Sequence, residues 1–138
     1  MAEGCKSAGA KDKRRFNEMG ETRMIVKNYR DVRAVPVLEE PGVTVRWLVS
    51  ELDAAPHYAL RLYEIEPGRA TTAHTHYWEH QVFVLAGRGA VSAGDREALL
   101  GEGDMVYISP GERHQLVNRG KQPFRFLMVL PIPQDITE

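Results

Sequence analysis

The stretch Gly68-Arg69-Ala70-Thr71-Thr72-Ala73-His74-Thr75-His76-Tyr77-Trp78-Glu79-His80-Gln81-Val82-Phe83-Val84-Leu85-Ala86-Gly87 holds three of the chain's five histidines and runs directly into an apolar segment that stops at a glycine. Val82-Phe83-Val84-Leu85 combines β-branched and aromatic residues in a short run, which reads as a strand. Histidines at i and i+2, as His74 and His76 are, project from one face of an extended strand. A third imidazole, His80, arriving after a short turn, can close on the same point. Metal coordination accounts for such a cluster, because neutral imidazole is the commonest protein ligand for transition metals. The competing reading is a coincidence of hydrogen-bonded structural histidines.

The same grammar extends in both directions. Short apolar or alternating runs occupy Met24–Lys27, Thr44–Val49, Tyr58–Ile65, Gln81–Ala86, Gly89–Ser92, Glu97–Leu100, Met105–Ile108, His114–Val117 and Phe124–Leu130. Turn-forming clusters separate them: Glu40-Pro41-Gly42, Glu66-Pro67-Gly68, Ala93-Gly94-Asp95, Ser109-Pro110-Gly111 and Asn118-Arg119-Gly120. Many short strands between such turns predict an all-β sandwich or barrel with little helix. In Phe124-Arg125-Phe126-Leu127-Met128 the charged Arg125 assigns Phe124, Phe126 and Met128 to the inner face.

With 138 residues the chain suits one domain, and its net charge of -1 draws it to neither nucleic acid nor an anionic membrane. No apolar run is long enough to span a bilayer. Residues 1–22 are polar, rich in Gly, Ala, Lys and Arg, and read as a flexible arm or short surface helix ahead of a folded domain at 23–138. The lone Cys5 lies in that arm and no secretory pattern precedes it, so a reducing cytoplasm is the expected location.

Two spacings carry a family resemblance. The sequence resembles the cupins, whose first motif is G-x5-H-x-H-x3,4-E-x6-G; here it reads Gly68-x5-His74-x-His76-x3-His80-x6-Gly87. The second cupin motif, G-x5-P-x-G-x2-H-x3-N, appears as Gly103-x5-Ser109-Pro110-Gly111-x2-His114-x3-Asn118. Ser109 replaces a proline, but Pro110 keeps the turn rigid. At the glutamate position the spacing selects His80, with Glu79 its competitor one residue earlier. Alternation places His80, Val82 and Val84 on the inner face and turns Glu79 and Gln81 away. The resemblance, which is closest to the four-histidine branch of small metal-binding cupins, implies a jelly-roll barrel (a double-stranded β-helix). It further implies one divalent metal per chain held by His74, His76, His80 and His114, with Mn or Fe favoured and Ni, Cu or Zn open.

Four neutral ligands leave the metal's charge uncompensated and, in an octahedral ion, two positions free. The leading expectation is therefore a metal-dependent oxidoreductase of dioxygenase type acting on a small oxygen-chelating molecule. The alternatives are a non-redox isomerase or lyase and a non-catalytic ligand-binding cupin. The isomerase reading needs an acid or base, and the sequence offers only Tyr58, Tyr63, Tyr77 and Glu79. Arg61, a cation within an apolar strand, either faces the metal pocket or forms a surface salt bridge. Phe126 and Met128 are pocket wall or plain core. Tyr77 and Trp78 lie in the turn between ligands, where they can shape the mouth; His57 reads as a surface loop residue. A homodimer formed by sheet pairing is expected, as is common in small cupins.

Overall fold

The computed structural model describes residues 24–133, so the expected arm at 1–22 lies outside the described residues. The chain divides into two compact units, one ending at Arg33 and one beginning at Ala34. In the first, Tyr29–Asp31 forms a single 3-10 turn capped by Asn28, whose side chain accepts a 2.9 Å hydrogen bond from Arg30 N–H. Met24–Lys27, read from sequence as a strand, forms none.

The second unit is all-β: β1 (Val35–Pro36), β2 (Val43–Val49), β3 (Tyr58–Ile65), β4 (His80–Ala86), β5 (Gly89–Ala93), β6 (Arg96–Leu100), β7 (Met105–Ile108), β8 (Gln115–Asn118) and β9 (Phe124–Pro131). They form a six-stranded sheet in the order β1-β2-β3-β9-β4-β7 and a three-stranded sheet in the order β6-β5-β8. Every pairing is antiparallel. Two facing antiparallel sheets with these crossovers make the expected jelly roll.

Alternation decides what lies between the sheets. β2 turns Val43, Val45 and Trp47 to one face, opposite Ile65, Tyr63 and Arg61 of β3. β9 adds Phe124, Phe126 and Met128, and β4 adds Val82 and Val84. Val43, Ile65, Val82, Val84, Leu116, Phe124 and Phe126 are all at most 1% exposed, so one end of the barrel is a dry apolar plug. Tyr63 stacks on Phe126, with ring centroids 5.3 Å apart, at the top of that plug. Outside, Arg125 pairs with Glu64 at 3.0 Å, as the alternation of β9 requires.

Two glycines of the β4–β5 connection, where the chain passes from one sheet to the other, allow the sheets to close. Gly87 has φ of 90° and ends β4 where a Cβ would fall 2.4 Å from the Pro123 carbonyl oxygen. Gly89 opens β5 under the Phe124 ring, and a Cβ there would lie 2.5 Å from ring carbons. Asn118 then ties the strand ends: its Nδ2 donates to the carbonyls of Ile65 (2.8 Å) and Gln122 (2.9 Å), and its Oδ1 accepts from Gly120 N–H (2.7 Å).

Candidate metal centre

Above the apolar plug the barrel interior turns polar. Residues 71–79 contribute no strand; their one ladder contact is an isolated antiparallel bridge between His74 and His114. The sequence reading put His74 and His76 on a strand. The segment is instead an extended crossover pinned by mutual backbone bonds, His74 N–H to His114 O and His114 N–H to His74 O, each 3.1 Å. Gly111 N–H adds a 2.7 Å bond to the His76 carbonyl. The two histidine-bearing segments, far apart in sequence, are therefore zipped together at the residues that carry the imidazoles.

Candidate ligand atoms of His74, His76 and His114 all lie within 4.8 Å of one another. His80, at the start of β4 and 2% exposed, adjoins them, its Nε2 3.5 Å from that of His76. Nitrogens bound at 2.0–2.1 Å to one ion sit about 3.0 Å apart in an octahedron and about 3.4 Å in a tetrahedron. The His76–His80 separation is close to this range. The Nδ1 of His114 lies 2.9 Å from the Glu112 carbonyl. A carbonyl only accepts, so Nδ1 carries the proton and Nε2 keeps a free lone pair.

Charge favours the same use. Burial, reinforced by neighbouring imidazoles, lowers His76 to about 4 and His80 to about 3, and lowers His74 as well. These side chains are neutral at pH 7 and compete with no proton for a cation. The donor set therefore fits a divalent transition metal, while imidazole chemistry alone leaves open which one.

The cluster lines a cavity of about 150 Å³. Arg61, Tyr63, Glu40 and Met128 share that wall, with Trp78 stacked flat on His76 at 4.4 Å between centroids. Arg61 thus faces the cavity rather than a surface partner. Its guanidinium lies 4.7 Å from the Trp47 ring and 5.2 Å from the Tyr63 ring, and its Nη2 is 3.8 Å from Met128 Sδ. Arg61 Nε is buried without a hydrogen-bond partner, and no carboxylate among the described residues is within ion-pair distance. Burial lowers the Arg61 pKa and raises that of Tyr63, so Tyr63 stays a protonated phenol.

Of the expected pocket residues, Met128 lines the cavity, whereas Phe126 belongs to the core behind Tyr63, with 0% exposure. Its inward direction was correct, but Tyr63 covers it. Glu79 points away from the cluster and accepts a 3.1 Å bond from Tyr107 Oη. Tyr58 and Tyr77 are exposed, and His57 lies in an exposed bend. Glu40 is the residue that sequence reasoning missed. It sits in a turn-forming Glu-Pro-Gly triplet, and only its long-range bond from Thr72 N–H (2.8 Å) holds it at the histidine segment.

An antiparallel jelly roll with an imidazole cluster inside defines a class, the metal-binding β-barrels. The comparisons make the assignment narrower. The Cupin domain family model matches residues 61–130, and the chain belongs to the cupin family. The structure of the polyketide cyclase RemF from Streptomyces resistomycificus is 33% identical, with a TM-score of 0.76 covering 81% of this chain and 82% of that one. A cupin 2 domain-containing protein from Halorhodospira halophila is 33% identical with a TM-score of 0.62, covering 72% and 75%. Mannose-1-phosphate guanylyltransferase of Escherichia coli (strain K12) is 35% identical over 80 residues, 56% of this chain, and the chain spans only 16% of that enzyme's length.

Proposed function

We propose that this cupin is a metal-dependent, non-redox enzyme of the isomerase, lyase or cyclase type, acting on a small carbonyl compound through proton transfer next to the carbonyl. The observation that carries the reading is the company the histidines keep: a carboxylate (Glu40), a phenol (Tyr63) and a fixed cation (Arg61) around one cavity. Glu40 adds a base that the sequence reading did not name beside Tyr63, which it did, and this favours the non-redox alternative over the leading dioxygenase expectation. Similarity to a polyketide cyclase over four-fifths of both chains supports the same direction.

His74, His76, His114 and, as fourth ligand, His80 would hold the ion. A divalent metal there supplies Lewis acidity that polarises a substrate carbonyl. Glu40, fixed by Thr72 N–H, removes a proton from the carbon beside that carbonyl. Negative charge then develops on oxygen, where the Tyr63 hydroxyl donates a hydrogen bond and the Arg61 guanidinium adds positive charge. Both groups are already desolvated, so they need no reorganisation as charge appears. The stacked Trp78 shields His76 from water on one side.

The test is anaerobic: Zn(II)-loaded protein in D2O with acetylacetone and β-ketoesters, followed by NMR for exchange of the activated proton. Exchange should persist without dioxygen and fall about 10²- to 10⁴-fold in Glu40→Gln, the usual size of a general-base effect. Dioxygen consumption by Fe(II)-loaded protein with no anaerobic exchange would restore the oxidoreductase, and stoichiometric binding without exchange would make it a binding module. A homodimer completes the proposal: β7 is a sheet edge, its Met105 and Tyr107 are exposed, and so is Phe83 on neighbouring β4. Sedimentation should show twice the 15.6 kDa chain mass.

A further inference from the structure

The metal cavity is too small to hold a whole substrate of ordinary size. Ligand pockets usually measure roughly 300–1,000 Å³, and this one has about 150 Å³. The strands that build it do not end there. Along β3 the inward residue after Arg61 is Ala59, and along β9 the one after Met128 is Leu130; Ala59 and Leu130 are paired across the two strands. Both line a second hollow of about 780 Å³ at the open end of the barrel. Trp78 borders both spaces, with His76 stacked on its indole. Trp47, which covers the Arg61 guanidinium, borders the larger one.

The lining of that hollow is mostly apolar and aromatic, with Trp47, Leu52, Tyr77, Trp78 and Ile132 alongside the polar Ser50 and Glu51. Leu52 and Tyr77 are 93% and 80% exposed, a poor use of large apolar side chains unless something covers them. The indole of Trp78 is held by stacking, since its buried Nε1 has no hydrogen-bond partner.

We infer that the substrate is a fused-ring aromatic or similarly flat apolar molecule carrying an anionic, oxygen-chelating end. The oxygen end enters the histidine cavity beside Arg61, and the ring system lies in the hollow against Trp47, Tyr77 and Trp78. This deepens the Lewis-acid reading and rests on it for the placement of the oxygen end. The flat body follows from the lining alone, because indole and phenol side chains pack best against other flat rings, by offset stacking or edge to face.

A matched pair of probes isolates the body from the head. Salicylate and 3-hydroxy-2-naphthoate carry the same adjacent hydroxyl and carboxylate and differ by one fused ring. Both tryptophans of the chain line the hollow, so their fluorescence reports occupancy directly. With full-length Zn(II)-loaded protein the naphthoate should bind about tenfold or more tightly than salicylate, the gain expected from burying one further ring. Leu52→Glu and Tyr77→Ser, both at exposed positions, should weaken the naphthoate more than salicylate and bring the ratio towards one while metal content stays as it was. Salicylate binding with no preference for the naphthoate overturns the inference and leaves the Lewis-acid reading intact. Failure of both acids to bind overturns the two together. An unchanged preference in both variants, with Leu52→Glu converting a dimer to a monomer, gives the hollow to a second copy of the chain and overturns the inference.

Discussion

His76 and His80 present their Nε2 atoms to each other at 3.5 Å, while the Nδ1 of each is buried with no partner. In the neutral form with Nδ1 protonated, two lone pairs face one another, a repulsive arrangement that a shared cation removes. Protonation would be worse, since burial and neighbouring imidazoles hold the two groups at about 4 and about 3, with the Arg61 charge adding to the effect. The unfolded chain protonates near the ordinary value of ~6.5. Below that pH it takes up protons that the folded protein refuses, so stability is fully present above ~6.5 and is lost as pH falls towards the folded values. Metal-free protein should therefore show a melting temperature that declines steadily from pH 6.5 to 4. His80→Leu, which removes one such group and relieves His76, should flatten that decline. A profile equally steep in both proteins would show that other groups control acid sensitivity. Arg61 shows a different limit of single-residue reasoning. A cation inside an apolar strand admits both a pocket and a surface role, and only the rings of Trp47 and Tyr63 around it decide the matter.

At the scale of elements, strands were legible wherever burial alternates. Tyr58–Ile65 and Met105–Ile108 match the expected bounds, and most other runs shift by a residue at one end or both. β1 escaped because it is two residues long, includes a proline and is exposed throughout. The sequence reading places His74 and His76 on a strand; in the crossover 71–79 a single bridge, His74 with His114, gives the same one-sided display of imidazoles that a strand would. Spacing thus predicted the right convergence through the wrong element. The motif residues that bind nothing also gain a physical account here. Asn118 is 3% exposed and satisfies two carbonyls and one amide at the junction of three strand ends. Asn118→Ala should cost about 2–3 kcal/mol in chemical denaturation, since buried acceptors lose their donor. Gly89→Ala should cost a similar ~2–3 kcal/mol, because its methyl group would overlap Phe124, whose ring sits at the centre of the plug. Neither change should alter metal stoichiometry in the protein that remains folded.

Across the whole second unit, the separation of an apolar plug from a polar chamber bears on what a metal held by the cluster would do. Ile65, Val84, Phe124 and Phe126 are 0% exposed and belong to an apolar core cluster that includes no histidine, and of the nine strands only β4 carries one, His80 at its first residue. A site that contributed the folding energy outright, as in small zinc domains, would leave the chain unfolded when emptied. Here the barrel core is complete, so chelation should leave a cooperative, folded protein with unchanged far-UV circular dichroism. What is lost is the linkage energy of the bound ion, about 4 kcal/mol at a free metal concentration a thousand times Kd. For a domain of this size that corresponds to a rise of roughly 10–15 °C in melting temperature on metal addition. His114→Ala removes the imidazole that the second segment contributes to the cluster, and should abolish most of that rise while lowering the metal-free melting temperature far less. If chelator unfolds the protein at room temperature, the ion is a structural clamp between the two histidine segments, and the case for an open, reactive metal fails with it.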